Sequence, residues 1–562
     1  MEALGWDRPD VVLVTGDSYI DHPSVGISVI GHVLLDAGYR VGIVAQPDIH
    51  TDADIARLGE PKLFWGVSAG SIDSLVANHT ASDKRRKSDD YTPGGVNNRR
   101  PDRALIAYAN LIRRFFKNTS PIVLGGIEAS TRRIAHYDYW SNSVRKSILF
   151  DAKADVLVYG MGEKAVLELA GRLSRGEGYR EVRGICHASR EMPPDAVELP
   201  SYDAVSRDKQ EFVAMFRLFC ENSDPGSARA LCQLHDSRYL VQTPPQPCLT
   251  EKELDELYEK GFERDQHPFY ERQGSVRALE TIRFSITTHR GCFGGCNFCS
   301  ISVHQGRAVV SRSKESVIRE AKALIRHPEF KGIIADVGGP TANMYAFACS
   351  RKNSPFGCTD KQCLSPEICR NLRFNHKAQV DLLRELRGLP GVKKVFVASG
   401  VRHDLVMADE QYGECYLREL VGHHVSGQLK IAPEHTREHV LRLMGKAGKD
   451  CLIAFKDLFY ELNRESGKKQ FLTYYLIAAH PGCTLQDMEK LKSFATGELR
   501  TNPEQVQIFT PLPSTWSGVM YYTETDPGGA KIFVEKDKAG RQQQKDLLVE
   551  KTRIKKRTFR RR

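Results

Sequence analysis

Residues 292–299 read CFGGCNFC: three cysteines, Cys292, Cys296 and Cys299, at C-x3-C-x2-C spacing, with the aromatic Phe298 ahead of the last. A loop this short aims three thiolates at one point. Gly291, Gly294 and Gly295 let the backbone wrap tightly and leave room for amide N–H groups to face sulfide. Three ligands suit a 4Fe–4S cube with one iron left open, because a closed cluster takes a fourth cysteine. The open iron is then a place for substrate or cofactor. Zinc is the rival. Structural zinc usually matches one C-x2-C pair with a second, and none stands close by. Three unrelated core cysteines are the plain alternative, set against only 14 cysteines in 562 residues.

Outward from the loop, strands alternate with helices over residues 281–520. The strands are TIRFSITT (281–288), GIIADVGG (332–339), KKVFVAS (393–399), GQLKIAPE (427–434), QFLTYYLIA (470–478) and EQVQIFTP (504–511). ESVIREAKALIRH (315–327) and HKAQVDLLRELR (376–387) are helices between them. Six such units predict a partial six-stranded βα-barrel and not a closed eight-stranded one, with the thiol loop directly after the first strand. Upstream, VVLVTG (11–16), YRVGIVAQP (39–47), LFWGVSAG (63–70), SPIVLGGIEAS (120–130) and ADVLVYGMGE (154–163) are apolar strands. All but YRVGIVAQP end at glycine-rich turns, and helical stretches separate them. That alternation predicts a doubly wound, Rossmann-like parallel sheet.

The expected division is therefore a Rossmann-like domain over 1–175, a connector over 176–280, a barrel over 281–520 and a C-terminal extension over 521–562. In the connector, Thr250 and Glu253 form a candidate capping box for a short helix. A second thiol group, Cys349, Cys358, Cys363 and Cys369, follows the second barrel strand at x8, x4 and x5 spacing. An auxiliary iron–sulfur cluster, a zinc ion and ordinary reduced thiols are all open readings of it. The seven remaining cysteines are scattered and are read as packing residues.

Hydrophobic residues make up 41% of the chain and charged ones 27%, ordinary for a globular protein. No apolar run is long enough for a membrane span, and no signal peptide is visible. Cysteine without an export signal points to reduced thiols and a cytoplasmic protein. The formal charge of +11 is concentrated in the last twelve residues, which hold eight Lys or Arg and no acid. That tail and the run KRRK at 84–87 are read as solvated, with nucleic-acid contact as the alternative.

The aromatic at position 298 within CxxxCxxC resembles the signature of the radical S-adenosylmethionine (radical SAM) superfamily. The phrases around it narrow the resemblance: IRFSITTHRGCFGGCNFCSISVHQGR, SRSKESVIREAKAL, VGGPTANMY, VASGVRHDL, LKIAPEHT and AAHPGCT. Together they look like the YgiQ family (UPF0313) of radical SAM proteins, from about residue 8 to about residue 530. The resemblance implies that Cys292, Cys296 and Cys299 bind a 4Fe–4S cluster whose fourth iron chelates S-adenosylmethionine. One electron then breaks a sulfonium C–S bond to give methionine and a 5′-deoxyadenosyl radical acting on an unidentified substrate. It implies an electron donor such as flavodoxin or ferredoxin. It also places cofactor contacts at Phe298, Gly338, Gly339, Ser399, Arg402 and Glu434. His289, Arg290, His304 and Arg307 flank the cluster as candidate supporting residues.

VLGGIEAST (123–131) and VYGMGEKAV (158–166) are similar to turns of the cobalamin-binding domains that precede many such barrels. The cobalt-ligand pattern there is Asp-x-His-x-x-Gly. Here Asp21 and His22 are adjacent, so the expectation is a cobalamin-binding-like fold without the cobalamin. Methyl transfer follows only if cobalamin is bound. A tRNA- or RNA-modifying radical SAM enzyme and a nucleic-acid-binding protein with a structural cluster are the alternatives.

Overall fold

The computed structural model describes residues 1, 4–351, 358 and 363–549. The first domain rests on five parallel strands: β1 (Val11–Thr15), β2 (Val41–Ala45), β3 (Phe64–Ser68), β4 (Ile122–Gly125) and β5 (Val156–Val158). Every residue of β1 is buried, as expected of a central strand covered on both faces. The lateral order is β2-β1-β3-β4-β5. The order reverses between β1 and β3, which makes the crevice at their carboxyl ends the topological switch point.

Residues of the expected connector complete this sheet. β6 (Ile185–Ser189), β7 (Val197–Leu199), β8 (Leu231–His235) and β9 (Arg238–Gln242) extend it past β5 to nine strands, with β6 antiparallel to β5 and β9 antiparallel to β6. The helix Glu251–Tyr258 carries the capping box read from the sequence. Thr250 Oγ1 accepts from Glu253 N–H at 3.2 Å, and Glu253 Oε2 accepts from Thr250 N–H at 2.7 Å.

The second domain is a partial barrel of six parallel strands in chain order. They are β10 (Ser285–Thr287), β11 (Ile333–Ile334, resuming as Asp336–Gly338), β12 (Lys394–Val395), β13 (Gln428–Glu434), β14 (Phe471–Ala478) and β15 (Val506–Ile508). β10 pairs with β11, β11 with β12, and β13 with β14 and then β15. A bridge from Val401 to Ile431 joins the third strand to the fourth. The layer between the strands and the outer helices is apolar: Ile334, Val337, Leu429, Ile431 and Leu476 are buried with Val317, Leu383 and Phe455 of the helices. Each such side chain is worth about 1.5–3 kcal/mol.

The C-terminal extension is more ordered than its sequence suggests. The helix Trp516–Thr523 packs on the first domain, with Val519 and Tyr521 in its core. The helix Lys538–Leu548 packs on the barrel. There Gln544 accepts from Ala479 N–H at 2.9 Å, and the buried Arg541 reaches the Phe509 carbonyl and Tyr139. This helix buries polar side chains, so hydrophobic periodicity does not reveal it. The basic tail, 551–562, lies outside the described residues.

Candidate active site

The thiol loop leaves β10 through a short antiparallel pairing of His289–Arg290 with Val310–Ser311. It is pinned at its centre. Asn297 donates from its backbone N–H to the Met444 carbonyl and from Nδ2 to the Leu443 carbonyl, both at 2.9 Å, and its own carbonyl accepts from Ser517 N–H at 2.9 Å. The loop is thus tied at once to a barrel helix and to the helix Trp516–Thr523.

Donors converge on the sulfurs. Gly294 N–H points to Cys292 Sγ at 3.3 Å, Thr341 Oγ1 lies 3.3 Å from the same sulfur, and Arg402 Nη1 donates to Cys296 Sγ at 3.6 Å. A side chain at position 294 would crowd the Arg402 guanidinium and the Cys292 sulfur. A Cβ would stand 2.9 Å from Arg402 Nη1 and 3.1 Å from Cys292 Sγ. Burial raises the Cys292 thiol, against the pull of Thr341, Gly294 and Arg402, and pushes Cys299 up to about 12. A cationic metal centre reverses that burial cost by holding the thiolate form. Among the described residues, no three His, Cys, Asp or Glu side chains stand close enough to hold a single metal ion.

Two cavities meet at this loop. The smaller, about 170 Å³, opens into the barrel and is walled by the three cysteines, Phe298, Thr341, Arg402, Asp404, Glu434 and Lys446, among others. Phe298 meets His480 edge-on at 6.3 Å. Glu434 ends β13 at φ 67°, a left-handed conformation rare outside glycine, where the β13–β14 register shifts. It is buried with Lys446 Nζ 3.8 Å away. Burial raises its carboxyl above the ordinary range, with Lys446 and Arg402 opposing.

Three expected cofactor contacts are not on this wall. The Gly338 carbonyl accepts from Thr288 N–H at 2.7 Å. Gly339 is packed so tightly that a Cβ would lie 2.6 Å from His289 Nε2. Ser399 Oγ is committed to Asp336. These positions serve the β10–β11–β12 junction beneath the cavity. Arg402 is on the wall, but its fork is held by Asp404, with Nε to Oδ1 at 2.9 Å and a second contact to Oδ2. Thr341, Asp404 and Lys446 were missed by sequence reasoning. Thr341 lies two residues and Asp404 five residues past the quoted strand ends, and that offset was the available signal.

The larger cavity, about 690 Å³, lies between the loop and the carboxyl ends of the first domain's sheet. Cys296, Cys299 and Ser302 belong to both cavities. Its walls include Tyr159, Phe219 and Trp516 on the apolar side, and Arg133, His304 and Arg307 on the polar side. His304 Nδ1 lies 2.9 Å from Ser130 Oγ, which links the flank of the thiol loop to the β4 turn. Cys349, Cys358 and Cys363 also line it, whereas Cys369 does not.

The switch-point crevice of the first domain is filled by its own chain. Arg100, with its side chain 1% exposed, pairs with Asp17 at 2.5 Å and Asp89 at 3.0 Å and donates to the Gly16 carbonyl at 3.2 Å. His22 is equally committed. Its Nε2 accepts from Arg264 Nη1 at 3.1 Å, and its Nδ1 lies 2.7 Å from Ser24 Oγ. Burial and the Arg264 charge lower its pKa to about 3. Arg264 also donates to the Arg283 and Ser285 carbonyls, so His22 sits at the joint between the two domains.

A parallel partial barrel with a three-cysteine loop after its first strand defines a radical SAM enzyme. Residues 286–495 match the radical SAM superfamily, and residues 1–285 match its radical SAM N-terminal family. Membership implies a 4Fe–4S cluster and S-adenosylmethionine, and enzymes of this class need a reductant and a substrate. More narrowly, the chain belongs to the UPF0313 family. It is 54% identical over 558 residues to a UPF0313 protein of Fusobacterium nucleatum, across 99% of this chain and 98% of that one. It is 49% identical over 553 residues to one of Thermotoga neapolitana, across 98% and 97%. Among solved structures it is similar to the radical S-adenosylmethionine methyltransferase TsrM from Kitasatospora setae with cobalamin and a 4Fe–4S cluster bound. That likeness has a TM-score of 0.52 at 15% identity, over 92% of this chain and 78% of that one. It is also similar to the cobalamin-dependent S-adenosylmethionine radical enzyme OxsB, with a TM-score of 0.50 at 12% identity over 92% and 55%. At such identities the likeness is one of fold. Among the described residues no helix is long and apolar enough to cross a membrane.

Proposed function

We propose that Cys292, Cys296 and Cys299 ligate the 4Fe–4S cluster, that the smaller cavity holds S-adenosylmethionine, and that the larger cavity holds the substrate. The observation that carries this reading is the shared wall: Cys296, Cys299 and Ser302 border both spaces. When reduced, the cluster supplies the electron that breaks the sulfonium C–S bond of S-adenosylmethionine. The chain supplies position and charge. Arg402 places a fixed cation at Cys296, and Glu434 offers a buried acceptor for ribose hydroxyls, with Lys446 beside it as a cation for the cofactor's carboxylate. Loop residues 293–298 and the apolar walls keep bulk water from the reacting atoms. A small reductant such as flavodoxin or ferredoxin fits the role of electron donor.

We read the N-terminal sheet as a cobalamin-type fold that no longer takes cobalamin. Arg100 fills the switch point, and His22 is bonded at both ring nitrogens. Nothing among the described residues favours nucleic acid. In the 84–87 run, Arg85 faces Asp102 at 3.6 Å and Arg86 donates to the Val76 and His79 carbonyls.

Anaerobic reconstitution, dithionite reduction and chromatography for 5′-deoxyadenosine test the enzyme reading. The protein should form 5′-deoxyadenosine and methionine slowly without substrate, and Cys296→Ala should abolish both. A fully loaded 4Fe–4S protein that neither binds nor cleaves S-adenosylmethionine rejects it.

A further inference from the structure

The larger cavity carries more thiols than the loop at 292–299 supplies. Cys349, Cys358 and Cys363 share its wall with Cys296 and Cys299. Cys349 closes a two-residue strand, Ala348–Cys349, paired antiparallel with Leu372–Arg373, which sets Cys349 opposite Leu372. Leu372 N–H donates to the Cys369 carbonyl at 2.8 Å, and Cys369 N–H donates to the Cys363 carbonyl at 2.9 Å. These bonds curl residues 363–372 into a turn that returns Cys363 and Cys369 to the side of Cys349. Cys358, Cys349 and Cys369 all lie within electrostatic range of Cys363. Cys349 and Cys363 also pack on Phe293, Phe347 and Leu372, the same apolar wall that Cys292 touches.

Packing does not explain this arrangement. Cys220 and Cys248, read as packing residues, are also partly buried and line this cavity, so exposure does not set the four apart; what does is that they come from one stretch of chain, 349–369, whose hairpin and turn gather them. We propose that Cys349, Cys358, Cys363 and Cys369 ligate a second iron–sulfur cluster, set in the cavity wall so that a molecule held there lies between two metal centres. Four thiolates close a 4Fe–4S cube and leave no open iron, so this centre takes no S-adenosylmethionine. Arg307 lends positive charge to Cys363, and Asn371 Nδ2 is 3.8 Å from Cys369 Sγ, supports that a thiolate-bound cluster uses. The inference goes beyond the reading above, which needs only the first cluster.

The test counts metal in the full-length protein, reconstituted without oxygen. Wild type should bind about eight irons with matching sulfide, two cubes by Mössbauer spectroscopy. Cys358→Ala with Cys363→Ala should halve the iron and keep the S-adenosylmethionine-sensitive electron paramagnetic resonance signal. The triple variant Cys292→Ala, Cys296→Ala, Cys299→Ala should keep the other half, with a signal that S-adenosylmethionine does not change. A Cys415→Ser control should keep all of it. One cube in wild type, one equivalent of zinc that the Cys358/Cys363 variant loses, or an iron-free triple variant that stays folded by circular dichroism overturns the proposal. Each of those outcomes leaves the first cluster and its chemistry standing. The Mössbauer count on wild type decides the matter even if a variant fails to fold.

Discussion

Arg402 Nη1 lies 3.6 Å from Cys296 Sγ while Asp404 grips the other edge of the same guanidinium. Burial opposes the Arg402 charge, but Asp404 and the thiols of Cys296 and Cys292 outweigh it and hold its pKa above the ordinary arginine value. The charge beside Cys296, a proposed cluster ligand, is therefore permanent and aimed.

Arg402→Lys keeps a cation but loses the fork to Asp404, and Arg402→Met loses both. Losing a charged hydrogen bond to a thiolate costs about 1.5–3 kcal/mol. In the methionine variant the cluster should become harder to reduce, and 5′-deoxyadenosine formation should slow about ten- to hundredfold, with the lysine variant between. Potentiometry followed by electron paramagnetic resonance checks the first effect. An unchanged potential in Arg402→Met would place the residue's role on the bound cofactor instead.

Glu434 is held protonated more readily in the folded chain than in the unfolded one. The folded state then binds more protons, so this group costs stability as pH rises through the interval between the two pKa values. Glu434→Gln should leave the protein at least as stable at neutral pH while weakening S-adenosylmethionine binding by about 1–3 kcal/mol. In wild type, binding that needs the carboxylate should weaken as pH falls through the raised pKa. Equilibrium dialysis between pH 5.5 and 8, alongside urea melts, separates the two effects. Full-affinity binding by the glutamine variant would remove Glu434 from the cofactor site.

Hydroxocobalamin added without oxygen should show no spectral shift, since Arg100 fills the crevice between β1 and β3. Arg100→Met should cost about 3–5 kcal/mol, because Asp17 and Asp89 stay buried without their cation. A stoichiometric cobalamin complex with wild type would contradict this reading, and an undiminished melting temperature in the variant would contradict the energetics.

Several histidines are buried neutral. Burial lowers His22, His136 and His235 to about 3 and His480 to about 4. Below about pH 6.5 the unfolded chain takes up protons that these rings refuse when folded, so stability falls with pH from there toward their folded values. Each such ring contributes up to about 1.4 kcal/mol per pH unit. Urea midpoints should drop steeply between pH 7 and 5.5, and a flat profile would show these rings to be solvated.

Local sequence carried the chemistry. A loop of eight residues needs no tertiary fold to bring Cys292, Cys296 and Cys299 together, because their spacing alone does so. The strands were legible for a similar reason: apolar runs such as VVLVTG and QFLTYYLIA are long enough to pair wherever they lie. Contacts that depend on how strands stack were not legible. The glycines at 338 and 339 end a strand as expected, yet the pairing of β10 with β11 spends them on Thr288 and His289, and the cavity wall passes to Thr341.

What the sequence determined by itself was the three-thiol loop, the order of two α/β domains and the class of reaction, all properties of residues close together in the chain. Only the tertiary structure decided that Arg402 reaches Cys296, 106 residues away, that Arg100 occupies the switch point, and that the four strands between residues 185 and 242 join the first sheet. Burial and charge pairing are set by what the fold brings alongside. A cation with an aspartate two residues on reads the same on a surface as in a core, and only packing removes the water that distinguishes them.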